Sequence, residues 1–268
     1  LMPLLYGLLL LLAIYATTTS GFGTALSWLF LPSFEDVTPA VILHAMGHAF
    51  FTLAVGACAL MAYGAYMPDE QSLPKAAFAV AVLDISVALL AGIAIFSVVF
   101  AQGMDPADGP GLMFVTLPIA FSELPWGSFW LSVFFLLLPL ATWTSAINLA
   151  EPMVATLQGL GWRRSISTAV VAISVWLLGL LSAFSFSTLA EFRPLFGRNV
   201  FELVSSIPPD IFLPLGGLLI ATFAAWVMPQ ALVVKALGVG DGGYVMWRNI
   251  VRWVSIPLTF IVLLGGLL

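Results

Sequence analysis

Charge is scarce in this sequence of 268 residues: only 8% of them are Asp, Glu, Lys or Arg, and there are two histidines and one cysteine. With 62% hydrophobic residues, the chain is too apolar to be soluble or disordered. The net charge of −5 offers no basic surface for nucleic acid. The lone cysteine, Cys58, excludes an internal disulfide. No nucleophile–base pair, metal triad or phosphate-binding loop is evident, so we do not predict an enzyme.

Long apolar runs are abundant instead. Several runs of about 20 residues match the hydrocarbon thickness of a bilayer, whereas the short alternating segments of a transmembrane barrel are absent. We predict an all-α polytopic membrane protein, a single transmembrane domain over residues 1–268 with about seven helices. The predicted membrane segments are 1–16, 40–67, 75–101, 127–157, 165–188, 208–230 and 246–268.

The first residues lie inside an apolar run and lack the basic region and cleavage site of a signal peptide. We therefore expect the chain to be the C-terminal part of a longer protein. Basic residues concentrate on one side of the predicted segments, which makes that side cytoplasmic. Acidic loops then face outward, and the predicted location is the inner (cell) membrane. The residues on the basic side are Lys75, Arg163, Arg164, Lys235, Arg248 and Arg252; those of the acidic loops are Glu35, Asp36, Asp105, Asp108 and Glu123.

Ionisable residues inside membrane segments are costly, so each is a candidate site. Asp84 lies well within the third segment, either as a carboxylate that bonds neighbouring helices or as a cation ligand. We interpret Glu151 as structural and assign no role to Asp210. His44 and His48 have the four-residue spacing of zinc ligands, but no third ligand accompanies them, so we predict no metal site there.

Two hydroxyl residues of the fourth segment share a helix face with a small residue. Ala141, Thr144 and Ser145 follow the spacing i, i+3, i+4. Two hydroxyl oxygens and the Ala141 carbonyl form half of a neutral oxygen cage, which suits a hard cation such as sodium. The alternative is that these small residues allow close helix packing.

The second segment is weak at its centre. Residues 54–58 read AVGAC, a poor sequence for a continuous helix. An unwound helix leaves unpaired backbone groups, tolerated in a membrane only beside a cavity or within protein. The partial charges of the two half-helix ends can then hold a carboxylate or a cation. The alternative is close packing at Gly56, Ala57 and Ala59.

Four stretches resemble the neurotransmitter:sodium symporter family, of bacterial amino-acid type. GHAFFTLAVGACALMAYGAY resembles its sixth helix, VLDISVALLAGIAIF its seventh, DGPGLMFVTLP its outer loop and FFLLLPLATWTSAINLAEP its eighth. The resemblance runs from a truncated fifth helix to an eleventh. It implies part of a LeuT-type inverted-repeat fold, with a broken helix at the binding site.

The resemblance implies sodium-coupled symport of an amino acid by alternating access, with Na⁺ as coupling ion and no cofactor. Phe51 matches the aromatic that closes over the substrate. By the same correspondence, Thr52 and Asp84 are ligands of a first sodium ion. A second sodium ion is assigned to Ala141, Thr144 and Ser145. The residues implied to bind substrate are Phe51, Thr52, Ala54, Gly56, Ala57, Ser145 and Leu149.

Departures from the family refine these expectations. Ala54, Ala57 and Cys58 differ from the residues common in the family, and we infer a pocket for a large apolar or aromatic amino acid. Asp84 already supplies a negative charge and Ala88 lacks a polar group, so we predict chloride-independent transport.

Nothing matches helices one to four of the family, which we expect from the same gene product. The resemblance also leaves a homodimer open. A membrane sensor or partner subunit that keeps the scaffold without transporting is the alternative function.

Overall fold

The computed structural model describes residues 2–31, 33–68, 70–106 and 111–267. Within those residues the regular elements are helices, and no strand is present. The chain forms two compact units, one of residues 1–36 and 81–147 and one of residues 37–80 and 148–268. The long helices α5 (Leu73–Ala101) and α7 (Gly127–Gly159) each contribute residues to both units. The prediction of an all-α fold is confirmed, and that of a single domain stays a prediction.

The first unit is built around α1 (Met2–Ala16), α6 (Leu117–Ser122), and parts of α5 and α7. Apolar residues of all four helices form one buried cluster, which includes Leu12, Val98, Leu117 and Phe134. The ring of Tyr15 stacks on that of Trp130 with centroids 4.3 Å apart. Helix α2 (Phe22–Phe30) also belongs to this unit.

The stretch that resembles the family's outer loop leads into a short helix packed into the first unit. A π turn over Leu112–Thr116 leads into α6, and Pro118 occupies the first turn of that helix, where its missing N–H has no cost. Leu117 and Ala120 are fully buried. The sequence quoted for this loop begins at Asp108, and residues 108–110 lie outside the described residues. The described second half of the loop is therefore helical.

The second unit contains the interrupted helix and the C-terminal helices. Helices α10 and α13 pack against each other, and α3 contacts both of them. The helices of this unit are α3 (Pro39–Thr52), α4 (Ala59–Tyr66), α8 (Arg164–Phe184), α9 (Val200–Ile207), α10 (Leu213–Thr222), α11 (Gln230–Leu237), α12 (Asp241–Ile250) and α13 (Ile256–Leu267).

Two membrane segments begin more than one helical turn earlier than predicted. The segment predicted from residue 208 begins at Val200, because the Asn199 side chain and the Glu202 side chain form a capping box. The helix passes the Pro208–Pro209 pair through a π turn over Pro208–Phe212 rather than starting there. The last segment begins at Asp241 instead of residue 246. The prediction placed this start too late because the polar first turn of the helix looks like a loop in the sequence.

Five helical segments of the described part of the chain are long and apolar enough to cross a membrane. The first predicted segment is a shorter apolar helix, α1, and the second is split into α3 and α4. All seven predicted segments are thus helical. The five long segments are Leu73–Ala101, Gly127–Gly159, Arg164–Phe184, Val200–Val227 and Asp241–Gly266.

Candidate substrate and sodium sites

The helix predicted to be weak at its centre is broken there. Helix α3 ends at Thr52 and α4 begins at Ala59. Three residues of the intervening segment have positive φ: Ala54 at 49°, Gly56 at 87° and Cys58 at 61°. Two of these are not glycine, and such a backbone conformation is costly unless the surrounding structure enforces it. Strained backbone of this kind clusters at ligand sites.

The break exposes backbone acceptors. The amide of Val55 donates to the carbonyl of Phe50 at 3.0 Å, and that of Ala57 donates to Ala54 at 3.2 Å. Among the described residues, no backbone N–H donates to the carbonyl oxygens of Thr52, Leu53 or Val55. Unpaired carbonyls at this depth of a membrane helix need a partner. A cation, or a polar substrate group, is such a partner.

A glycine pair on α10 receives the unwound segment. A Cβ on Gly56 would overlap the carbonyl oxygen of Leu213 and lie 2.6 Å from the amide nitrogen of Gly217. A Cβ on Gly216 would overlap the carbonyl of Gly56, and one on Gly217 would lie 2.8 Å from the Phe50 ring. Sequence reasoning did not assign this role to Gly216 and Gly217. Two adjacent glycines inside an apolar helix were the available signal, because they indicate close backbone approach.

The residues predicted for the second sodium site lie on α7. The hydroxyl of Thr144 donates to the Ala141 carbonyl oxygen at 2.9 Å, so two of the predicted ligand oxygens lie together on α7. Ala141 and Thr144 are half-buried, and Ser145 is exposed. The three residues belong to the first unit. Their placement on one helix face agrees with the prediction, and their binding of sodium stays a prediction.

The predicted first sodium site and substrate site draw residues from both units. Thr52 belongs to the second unit, and its hydroxyl lies 3.4 Å from the Ala49 carbonyl. Asp84 is half-buried in the part of α5 that belongs to the first unit. Phe51 is 56% exposed and Leu149 is 45% exposed. Of the predicted substrate residues, those of the broken helix are contiguous in the second unit; the complete site stays a prediction.

The two histidines line a cavity of about 560 Å³ within the second unit. Within the described residues, no three His, Cys, Asp or Glu side chains are grouped to hold a metal ion. Asp210, which received no role from the sequence, lines the same cavity. Its polar lining residues include His44, His48, Arg198, Ser205 and Asp210.

Glu151 has the structural role assigned to it. Its carboxylate accepts two hydrogen bonds from the Arg164 guanidinium, at 2.8 and 3.0 Å, and one from the Tyr66 hydroxyl at 3.3 Å. One turn away, the Tyr63 hydroxyl donates to the Asn148 side chain. These contacts join α4, the second half of the broken helix, to α7 and α8. Such a bidentate pair fixes geometry more than it adds stability, since Arg164 is 58% exposed.

A membrane helix that unwinds at a strained segment and leaves carbonyl oxygens unpaired is typical of ion-coupled transporters. A sequence profile described as the sodium:neurotransmitter symporter family matches residues 1–192. The chain belongs to this family, and the resemblance seen in its sequence is confirmed. It is therefore an integral, multi-pass membrane protein of a family of transporters rather than of enzymes.

Individual relatives agree with this assignment. The sodium-dependent transporter YhdH of Bacillus subtilis is 31% identical over all of this chain and 60% of its own length. The sodium- and chloride-dependent taurine transporter of Rattus norvegicus is 29% identical over 65% of this chain and 31% of its own. The crystal structure of MhsT in complex with L-phenylalanine superposes with a TM-score of 0.88 and 38% identity, covering 99% of this chain and 61% of MhsT. The chain thus spans about 60% of the length of YhdH and MhsT.

Proposed function

We propose that the protein catalyses sodium-coupled symport of a large apolar or aromatic amino acid. The observation that carries this proposal is the break in the second membrane segment. Ala54, Gly56 and Cys58 hold a left-handed backbone there, and three neighbouring carbonyls have no backbone donor among the described residues. This arrangement offers oxygen acceptors at the middle of a membrane helix. Sodium and the ammonium group of an amino acid are both suited to such acceptors.

Oxygen groups on two helices support the proposed sodium coupling. The hydroxyl–carbonyl pair of Thr144 and Ala141 provides neutral oxygens on α7, and Asp84 provides a carboxylate on α5. If sodium binds one conformation more tightly than the other, it shifts the protein toward that conformation. The amino acid then binds the same conformation, and the coupling is reciprocal. Transport needs no covalent step, only the alternation of two conformations around these sites.

The substrate class is proposed from pocket size. Ala54 and Ala57 are small side chains beside the strained backbone, which leaves room for a bulky substrate. The solved relative MhsT was crystallised with L-phenylalanine. Phe51, which is 56% exposed, provides an aromatic face for a hydrophobic side chain. We assign Phe51, Thr52, Ala54, Gly56, Ala57, Ser145 and Leu149 to the substrate site.

We expect phenylalanine, tryptophan and leucine to compete for uptake far better than glycine or alanine. Burial of a large apolar side chain contributes about 1.5–3 kcal/mol, equivalent to roughly a tenfold or greater difference in affinity. Competition against labelled phenylalanine in cells that express the intact protein measures this order. Ala57→Leu should reduce the preference by filling the pocket, whereas Ala65→Leu, on an exposed position of α4, should not. A preference for glycine or alanine would refute the proposed substrate class.

We expect transport to be independent of chloride. Asp84 is half-buried in a membrane helix and is itself a proposed sodium ligand that carries a carboxylate. A bound anion is not needed to balance sodium when a carboxylate is already present. Uptake should therefore continue when chloride is replaced by gluconate, and it should stop when sodium is replaced by choline. Loss of uptake in gluconate would contradict this prediction.

A further inference from the structure

Two arginines lie on one face of the last membrane segment. Arg248 is in the last turn of α12, and Arg252 is one helical turn later in a π turn over Val251–Ser255. Residues four apart on a helix are neighbours. Both side chains are half-buried, and both positions fall inside the segment Asp241–Gly266 that is apolar enough to cross a membrane. Cations in such a segment need a specific partner.

Both guanidinium groups converge on the carbonyl oxygen of Ala225. Arg248 donates to it through Nε at 2.8 Å, and Arg252 donates through Nε at 3.0 Å and Nη2 at 2.7 Å. The residue four positions after Ala225 is Pro229, which has no N–H, so this carbonyl has lost its ordinary helical donor. The arginines therefore cap the end of a π turn over Phe223–Val227. A neutral carbonyl, however, does not cancel two positive charges.

Neither arginine has an acidic partner in the part of the chain that the structure describes. No described carboxylate lies within 4.0 Å of either guanidinium, in contrast to the bidentate pair of Arg164 and Glu151. Two like charges that share one acceptor repel each other, and partial burial increases the cost. An anion between them would remove this cost. Nη2 of Arg248 and Nη1 of Arg252 have no acceptor among the described residues. These two nitrogens can therefore donate hydrogen bonds to such an anion.

Aromatic residues hold the pair in place. Arg248 donates through Nη1 to the hydroxyl of the buried Tyr244 at 2.7 Å, and the guanidinium carbon of Arg252 lies 4.9 Å from the centre of the Trp226 ring. Trp253, next in sequence, is 73% exposed. Tryptophan and tyrosine are concentrated at the level of lipid head groups. Ala225 is within one turn of the helix end at Val227, on the side predicted to be cytoplasmic, so the pair lies at that level.

We propose that Arg248 and Arg252 form a binding site for the phosphate of an anionic phospholipid head group. Arginine's planar fork binds phosphate oxygens bidentately, and two preorganised forks lower the entropy cost of binding. Basic pockets between membrane helices on the cytoplasmic side are typical sites for such lipids. Met246, Trp253 and Val254, each within two residues of one of the arginines in sequence, have exposed apolar side chains that suit acyl chains, which a free phosphate ion lacks.

The test compares lipids bound to the intact protein. The protein is exchanged into nanodiscs that contain equal amounts of phosphatidylglycerol and phosphatidylcholine. Native mass spectrometry then measures which lipids stay bound after the protein is released from the nanodisc. We expect retention of phosphatidylglycerol over phosphatidylcholine by at least about tenfold, as one or two charge-assisted hydrogen bonds imply. A large excess of inorganic phosphate should not displace it. Equal retention of the two lipids, or displacement by phosphate alone, would overturn the proposal.

Variants identify the residues responsible. Arg252→Gln should reduce the preference for phosphatidylglycerol about tenfold, because it removes one fork. Arg163→Gln removes one arginine from the same side, at the exposed start of α8, and should leave the preference unchanged. Arg252→Lys keeps the charge without the fork and should give an intermediate value. An equal loss in Arg163→Gln and Arg252→Gln would mean a general charge effect and would contradict a site at this pair. The comparison of the two lipids on the unmodified protein tests the proposal even if a variant fails to fold.

Discussion

Gly56→Ala is expected to abolish sodium-dependent uptake. The glycine has a φ of 87°, and an added Cβ would overlap the carbonyl oxygen of Leu213. A left-handed conformation at a non-glycine residue costs on the order of 1–3 kcal/mol, and the overlap with backbone adds to it because no flexible side chain can move aside. The unwound segment must then leave Gly216 and Gly217 of α10. We expect the variant to lose the strained backbone conformation and, with it, the arrangement of the carbonyl oxygens that are proposed as ligands.

Gly179→Ala is the matched control. Gly179 lies in α8, and an added Cβ would meet nothing within 4 Å. The substitution should even favour the helix slightly, since alanine has the higher helix propensity. Surface yield and uptake of labelled phenylalanine should be measured for both variants. Normal uptake by Gly56→Ala would show that the strained backbone is not required, and equal loss in both variants would point to a general sensitivity to glycine substitution.

Thr144→Ala is expected to weaken sodium binding by at least about tenfold, because one ligand oxygen worth roughly 1.5–3 kcal/mol is removed. The Thr144 hydroxyl lies 2.9 Å from the Ala141 carbonyl, so the substitution leaves the carbonyl in place and removes its partner. Uptake at saturating sodium should recover most of its rate. The order of preference among amino acids should not change, since Thr144 is proposed to bind the ion rather than the substrate. The sodium concentration that gives half-maximal uptake measures this effect.

Thr142→Ala controls for the loss of a hydroxyl from α7. The Thr142 hydroxyl donates to the Leu138 carbonyl at 2.8 Å in a similar intrahelical bond, and Thr142 is exposed. Its removal should leave sodium dependence unchanged, and Thr144→Ser, which keeps the oxygen, should remain close to the unmodified protein. An unaltered sodium requirement in Thr144→Ala would rule out the second sodium site as assigned.

The broken helix was predictable from the sequence because its causes are local. Gly56 permits positive φ, and the small residues around it do not support a continuous helix. The contact that enforces the break is not local. Gly216 and Gly217 are distant in sequence, and only the fold shows that they accept the backbone at Gly56. Sequence periodicity reports which residues are apolar, but not which helix they meet.

Helix boundaries were predictable only where hydropathy changes. The start of α9 depends on the capping box of Asn199 and Glu202, which precedes the most apolar residues. The start of α12 at Asp241 lies in a polar stretch whose Tyr244 is buried against other parts of the second unit. In both cases a hydropathy threshold places the helix too late. Side-chain hydrogen bonds and tertiary packing extend it toward the N-terminus.

The candidate ligands also divide into those that could be predicted from local helix geometry and those that depend on the fold. The face shared by Ala141 and Thr144 follows from helix geometry and was predicted correctly. The pairing of Thr52 with Asp84 was implied only by family resemblance, and these residues belong to different units. The role of Arg248 and Arg252 as donors to Ala225 could not be predicted from spacing alone. It depends on Pro229 removing the N–H that would otherwise occupy that carbonyl.

Uptake by proteoliposomes tests the central claim of sodium-coupled symport most directly. The intact protein is reconstituted, and accumulation of labelled phenylalanine is followed under an inward sodium gradient and under an equal choline gradient. We predict accumulation above the external concentration with sodium alone, abolished by an ionophore that collapses the sodium gradient. Equal uptake under the two gradients, or binding of phenylalanine without accumulation, would contradict sodium-coupled symport.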